Sequence, residues 1–181
     1  MVYVFLADGF EEMEAVAPID ILRRAQLPVV TVAVGTNENT VTGAHGIALR
    51  ADILESKVDL AETQLAVLPG GMPGTVNLER SATVQAVLRH CKQQGIPIGA
   101  ICAAPSVLGH LGLLEGVAAT CFEGFEDELA GAVYTPRAVC CDRNIVTARG
   151  AGVAVEFALK LAEVMCGGEK AALLRKSIQC V

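Results

Sequence analysis

The sequence predicts an α/β fold of the doubly wound kind, a mostly parallel sheet with helices on both faces. Three observations predict it. Short, continuous apolar runs recur along the chain, as strands covered on both faces require. Between them lie segments with one apolar face at helical spacing. The length of 181 residues, 52% hydrophobic and 19% charged, suffices for one domain with a large core, expected to span residues 1–181.

Val2–Ala7 is the first apolar run and Val29–Val34 the second, with Leu65–Leu68 and residues 96–101 following; Gly, Pro or charge bounds each. In the first helical interval Val16, Ile19, Leu22 and Ala25 share a face, while Arg23, Arg24 and Gln26 project elsewhere. A second helix runs through Val84, Val87, Leu88 and Cys91 and ends at Gly95. Residues 117–121, 138–141 and 145–147 read as shorter strands, the last two joined by a turn at 142–144. Two amphipathic helices, near 153–165 and 169–177, close the chain on either side of Gly167 and Gly168. The alternation of strand and helix is what makes the sheet parallel and doubly wound.

Composition excludes several classes of function. A net charge of −6, no basic cluster and no Trp argue against a nucleic-acid groove. The start, MVYVFLADGFEE, turns acidic by Asp8 and reads as a core strand, not a signal peptide. No apolar run approaches the roughly 18 residues of a membrane span. The cytoplasm is therefore the expected location. Seven cysteines are an odd number without a secretory signal, which favours free thiols in a reducing compartment. Cys140 and Cys141 are adjacent, a poor spacing for zinc, and neither a metal nor a cofactor is expected.

In a doubly wound sheet, sites form where strands end. Three segments bring unusual residues there: DGFEEME, PGGMPG and ICAAP. Cys102 stands at a strand-to-helix turn with small Ala100 and Ala104 two residues to either side, as a nucleophile elbow requires. Pro105 suits the first turn of a helix, whose N-terminus would lower the thiol pKa. The same pattern suits a packed core cysteine, and the pattern alone leaves the two readings level. Glu14 lies in an acidic first helical turn, and Pro18 would clash with its carbonyl, so the chain is expected to bend or begin its helix there. A carboxyl at such a bend can face the sheet and stay protonated beside a thiolate, although a solvated glutamate is the more ordinary reading. PGG at 69–71 is an ordinary turn taken alone, but beside a nucleophile the N–H groups of Gly71 and Ala103 would form an oxyanion site.

Histidine narrows the chemistry. His110 lies eight residues after Cys102, about 12 Å along a helix. His90 and His45 read as solvated side chains. A Cys–His–Asp triad cannot be assembled, which leaves a cysteine–carboxylate pair.

The stretches ADGFEEMEAVAPIDILRRA, AVLPGGMPGTVNL, IGAICAAPSVL and VTARGAGVAVEFAL, in that order, resemble the ThiJ/PfpI superfamily, in the branch of the Parkinson-disease protein DJ-one and bacterial ThiJ-like proteins. The resemblance covers nearly the whole chain. It implies a flavodoxin-like sandwich of class I glutamine amidotransferase type, usually homodimeric. It assigns the reactive cysteine to Cys102, the protonated glutamate to Glu14 and the backbone oxyanion site to Gly71 and Ala103. The activity it implies is a cofactor-independent glyoxalase or deglycase acting on methylglyoxal, glyoxal or their early adducts on proteins and nucleotides. A redox sensor or redox-regulated chaperone is the alternative. Ala103 stands where the peptidase-like branch has histidine, which disfavours a protease, and an amidotransferase lacks its late histidine. Cys121 falls where a histidine stands near the site in the DJ-one protein; a resolving thiol and a pocket-wall cysteine are both open to it.

Overall fold

The computed structural model describes residues 1–180. In chain order its elements are β1 (Val2–Ala7), α1 (Glu12–Arg24), β2 (Val29–Val34), β3 (Thr40–Thr42), β4 (Ala48–Arg50), β5 (Ile53–Leu54), β6 (Leu65–Leu68), α2 (Gly74–Arg80) and α3 (Ala82–Gln94). There follow β7 (Ile98–Ile101), α4 (Pro105–His110), β8 (Ala118–Ala119), β9 (Val133–Tyr134), β10 (Val139–Asp142), β11 (Ile145–Ala148), α5 (Ala154–Cys166) and α6 (Gly168–Ser177). The central sheet has the order β10-β11-β7-β6-β1-β2-β5, parallel except for the edge strand β10. The flavodoxin-like α/β architecture expected from the sequence is the one observed.

The apolar runs form strands because every side chain of β1, β6, β7 and β11 is buried, leaving no solvent face that would demand alternation. One layer packs Ile21 and Leu22 of α1 with Phe157 and Leu161 of α5 and Leu174 of α6. The other packs Leu78 of α2, Val84 and Leu88 of α3, and Val107 of α4. Winding starts at β1 and runs outward through β2 and β5, then returns to β6 and proceeds the other way. The reversal opens a crevice at the carboxyl ends of β1 and β6.

Several elements depart from the sequence reading. The strand expected over 96–101 begins at Ile98, and that over 117–121 shrinks to Ala118–Ala119, which pairs with β9. Neither β9, the β3–β4 hairpin nor β5 was expected; at two or three residues each they carry no periodicity. Helix α2 also lay unseen behind PGGMPG. Helix α1 starts at Glu12 and keeps Pro18 inside it, so the proline does not mark its beginning. Its buried stripe is rotated from the expected one: Ala15, Pro18, Ile21 and Leu22 are covered, whereas Val16 is 44% exposed. The rotation is what turns Glu14 inward. No helix among the described residues is long and apolar enough to cross a membrane.

His110, which ends α4, donates to neither cysteine nor sheet. Its Nδ1 lies 2.6 Å from Glu79 of α2 and its Nε2 lies 2.7 Å from Glu128 of the loop before β9. A neutral imidazole can donate from only one nitrogen, so two carboxylates favour the cation, and these hydrogen bonds raise its pKa above 6.5. A raised histidine stabilises the fold fully below the unfolded pKa and ceases to do so as pH rises through the folded one. The melting-temperature advantage of the parent over His110→Gln should therefore be largest near pH 6 and shrink as melts are run at rising pH up to 9. An advantage independent of pH would remove the charge from this contact.

Candidate active site

Three chain segments meet at the crevice, each for a local reason. After β7 the backbone turns sharply at Cys102, whose φ of +65° is unusual for a residue with a side chain. Two bonds hold the turn: the Cys102 N–H donates to the Ala148 carbonyl at 2.9 Å, and the Cys102 carbonyl accepts from the Phe122 N–H at 2.8 Å. Pro105 then occupies the first turn of α4, where no N–H is needed. After β1, Glu11 caps α1 by accepting the Glu14 N–H at 2.8 Å. After β6, the Gly70 carbonyl accepts the Glu11 N–H at 2.9 Å and Gly71 adopts a φ of +90°.

Glu14 is 1% exposed. Its Oε2 accepts from the Gly70 N–H at 2.9 Å, and its carboxyl faces the Cys102 thiol and the Ala151 N–H. The N–H groups of Ala103 and Gly71 face the Cys102 sulfur and favour its anion. The structure thus brings Cys102, Glu14, Gly71 and Ala103 together. Gly70, which the sequence reading passed over, is the spacer between them: a Cβ there would lie 2.6 Å from Cys102 Cβ and 2.7 Å from Glu14 Oε2. The doublet of glycines after a strand was its only signal.

The electrostatics differ in part from expectation. Burial, against opposing hydrogen bonds from Cys102 and Gly70, raises the Glu14 carboxyl from 4.5 to about 7. Burial, then the charge of Glu14 and the hydrogen bond to it, push the Cys102 thiol up to about 12. The thiol is thus raised, against the depression expected from a helix N-terminus, because burial and the neighbouring Glu14 carboxylate dominate. The two groups are linked. A proton on Glu14 removes its charge and converts it from acceptor to donor toward sulfur, cancelling two of the causes that raise the thiol.

Cys121 is fully buried and packs in the layer of α2, α3 and α4, whereas Cys102 packs against the layer of α1 and α5. Burial pushes its thiol up to about 11. Its chain neighbour Phe122 donates its N–H to the Cys102 carbonyl at 2.8 Å, so Cys121 adjoins the cysteine turn from within the core. The carboxylates of Glu11 and Glu12 and the ring of His45 lie within 4.8 Å of one another. Hydrogen bonds account for that cluster, because Glu12 accepts from the His45 N–H at 2.7 Å and contacts its Nδ1 at 2.8 Å, tethering the β3–β4 hairpin.

Residues 1–164 match the DJ-1/PfpI family. The chain belongs to that family. Among curated relatives, Protein DJ-1 homolog B of Arabidopsis thaliana is 38% identical over 97% of this chain, which spans 40% of that protein's length. The glutathione-independent glyoxalase DJR-1.2 of Caenorhabditis elegans is 32% identical over 93% of this chain and 89% of its own. A solved structure of oxidized Toxoplasma gondii DJ-1 superposes with a TM-score of 0.93 at 39% identity, covering 98% of this chain and 97% of that one. As a DJ-1/PfpI protein, the chain therefore has a glyoxalase among its relatives.

Two outcomes follow from this geometry. Raising a buried carboxyl from 4.5 to about 7 costs about 3 kcal/mol at neutral pH, at ~1.4 kcal/mol for each unit. Stability held below pH 4.5 is lost as pH climbs through 7, so Glu14→Gln should gain on the parent in melting temperature across that interval. Equal pH profiles would mean that Glu14 is not the buried acid. Gly70→Ala should lower the urea midpoint, by a destabilisation of about 1–3 kcal/mol, and should separate Cys102 from Glu14. A fully stable variant with parental alkylation kinetics would contradict the close approach.

Proposed function

We propose that the protein is a cofactor-independent thiol enzyme that converts α-oxoaldehydes, or their early adducts on proteins and nucleotides, to 2-hydroxy acids. The observation that carries this reading is the close approach of Cys102 and buried Glu14 about Gly70, which supports a sulfur nucleophile and a proton carrier acting on one substrate carbon. Transfer of the thiol proton to Glu14 generates the thiolate as the substrate arrives. The sulfur adds to the aldehyde carbon and forms a hemithioacetal. The N–H groups of Gly71 and Ala103, already directed at the sulfur, stabilise the oxygen on the attacked carbon. Glu14 then carries a proton from that carbon to its neighbour by way of an enediol, leaving a thioester of the 2-hydroxy acid. Water cleaves the thioester and restores the thiol. The similarity to a glutathione-independent glyoxalase supports the reaction class.

The partners we assign are small α-oxoaldehydes and a second copy of the chain in a homodimer, in the cytoplasm. Exposed Met13, Val16 and Val155 supply an apolar face on α1 and α5 that suits the dimer contact.

A second reading is favoured by the similarity to an oxidized DJ-1 structure. In it, Cys102 oxidises to the sulfinate, Glu14 donates to the new oxygen, and no turnover is needed. Cys102→Ser should reduce methylglyoxal consumption to background; full turnover by that variant defeats the enzyme reading. Selective gain of two oxygens at Cys102 under mild peroxide, with negligible turnover by the parent, replaces it with the sensor.

A further inference from the structure

Beside the dyad lies a cavity of about 470 Å³ that neither Cys102 nor Glu14 lines. Its walls come from Phe122 and Glu123 on one side and from Arg149 through Val153 on the other. It approaches the acid of the pair across Gly150. A Cβ built on Gly150 would lie 3.3 Å from the Phe122 ring and 3.8 Å from Glu14 Oε1. Gly150 is thus the partition between the cavity and the acid.

Strand register fixes where Arg149 sits. β11 and β7 run parallel with Ala148 opposite Ile101, so Arg149 and Cys102 each stand one residue beyond the last paired positions. The hydrogen bond from the Cys102 N–H to the Ala148 carbonyl holds the two ends together. Adjacent strands lie about 5 Å apart, a shorter distance than an extended arginine side chain. The guanidinium is exposed and enters none of the ion pairs formed among the described residues, while Glu123 lines the same cavity without pairing to it. The Arg149 side chain lines the cavity together with Phe122. Its positive charge acts on the thiol of Cys121, whose chain neighbour Phe122 bonds to the Cys102 carbonyl, so a guanidinium uncommitted to a carboxylate stands on the cavity wall next to the cysteine turn.

We propose that Arg149 is a specificity-determining residue that binds an anionic group, a carboxylate or phosphate, on a substrate whose carbonyl lies at Cys102, with Phe122 packing over the intervening carbons. The inference rests on the thiol-enzyme reading and deepens it by naming the substrate class: α-oxoaldehydes or adducts carrying a negative charge one cavity length from the reacting carbon. A planar fork can hold either anion through two parallel hydrogen bonds. The neutral methylglyoxal molecule would use the dyad without using this contact.

The test compares second-order alkylation of Cys102 by iodoacetate and by iodoacetamide, two reagents that differ chiefly in charge, followed by peptide mass spectrometry. Exposed Cys141 serves as an internal reference in the same digests. The iodoacetate-to-iodoacetamide rate ratio at Cys102 should fall about fivefold in Arg149→Met, the size of a unit-charge attraction across a partly solvated cavity. Arg149→Lys should keep most of it, and the ratio at Cys141 should not move. Glyoxylate, an anionic aldehyde, should protect Cys102 from iodoacetamide in the parent at about fivefold lower concentration than in Arg149→Met. An unchanged ratio at Cys102, or equal protection in both proteins, overturns the inference. None of these readouts needs turnover, so a parent protein that fails to consume methylglyoxal refutes the thiol-enzyme reading separately from Arg149.

Discussion

The φ of +65° at Cys102 is the constraint from which the site follows. A residue with a Cβ in the left-handed region costs roughly 1–2 kcal/mol, and here strand β11 and the Phe122 loop hold it by one backbone hydrogen bond each. The turn has two effects at once. It stops β7 abruptly, so the sulfur stands above the sheet instead of within it, and it brings the Ala103 N–H round toward that sulfur. Glu14 can be buried only because the sulfur and the Gly70 N–H meet it there. Relaxing Cys102 to an ordinary strand conformation would leave an acid with 1% exposure facing apolar neighbours.

One proton occupies the space between sulfur and carboxyl, and its location decides what the site can do. On sulfur, the pair is a buried thiol beside a carboxylate, which is unreactive. On Glu14, the same atoms are a thiolate beside a hydrogen-bond donor. Burial raises both groups by similar amounts, so the gap between them stays about as wide as for an isolated cysteine and glutamate in water, and the second form is reached as a substrate captures the sulfur. Carbonyl addition and oxidation both begin from the second form, which is why enzyme and sensor readings share every residue.

Much of this was legible in the sequence, and the gaps have physical causes. The core strands could be read because uninterrupted apolar runs such as Val2–Ala7 have few other uses in a short interval. Cys102, Glu14, Gly71 and Ala103 lie beside recognisable punctuation: small residues, prolines and glycines. The rotation of α1 was not legible, because Val16 is as apolar as Ala15 and only the burial of Glu14 decides between the two faces. The upward push on the thiol could not be read because the sequence discloses a helix after Cys102 but not the burial of the sulfur or the Glu14 charge beside it. Arg149 and Phe122 could not be associated with the cysteine from spacing, since their nearness depends on the register of β11 against β7.

The loops after β1 and β6 touch backbone to backbone at Gly71, where a Cβ would lie 2.4 Å from the Glu11 nitrogen and 2.5 Å from the Gly9 carbonyl oxygen. Main chain alone forms that joint, so it offers no side chain whose replacement could adjust it by small steps. The opposite wall, with Phe122, Glu123 and Arg149, consists of side chains on a loop and a strand end. The crevice is accordingly divided in its capacity to change: one flank is a fixed template for a single chemistry, and the other can be recast residue by residue to admit new molecules to it.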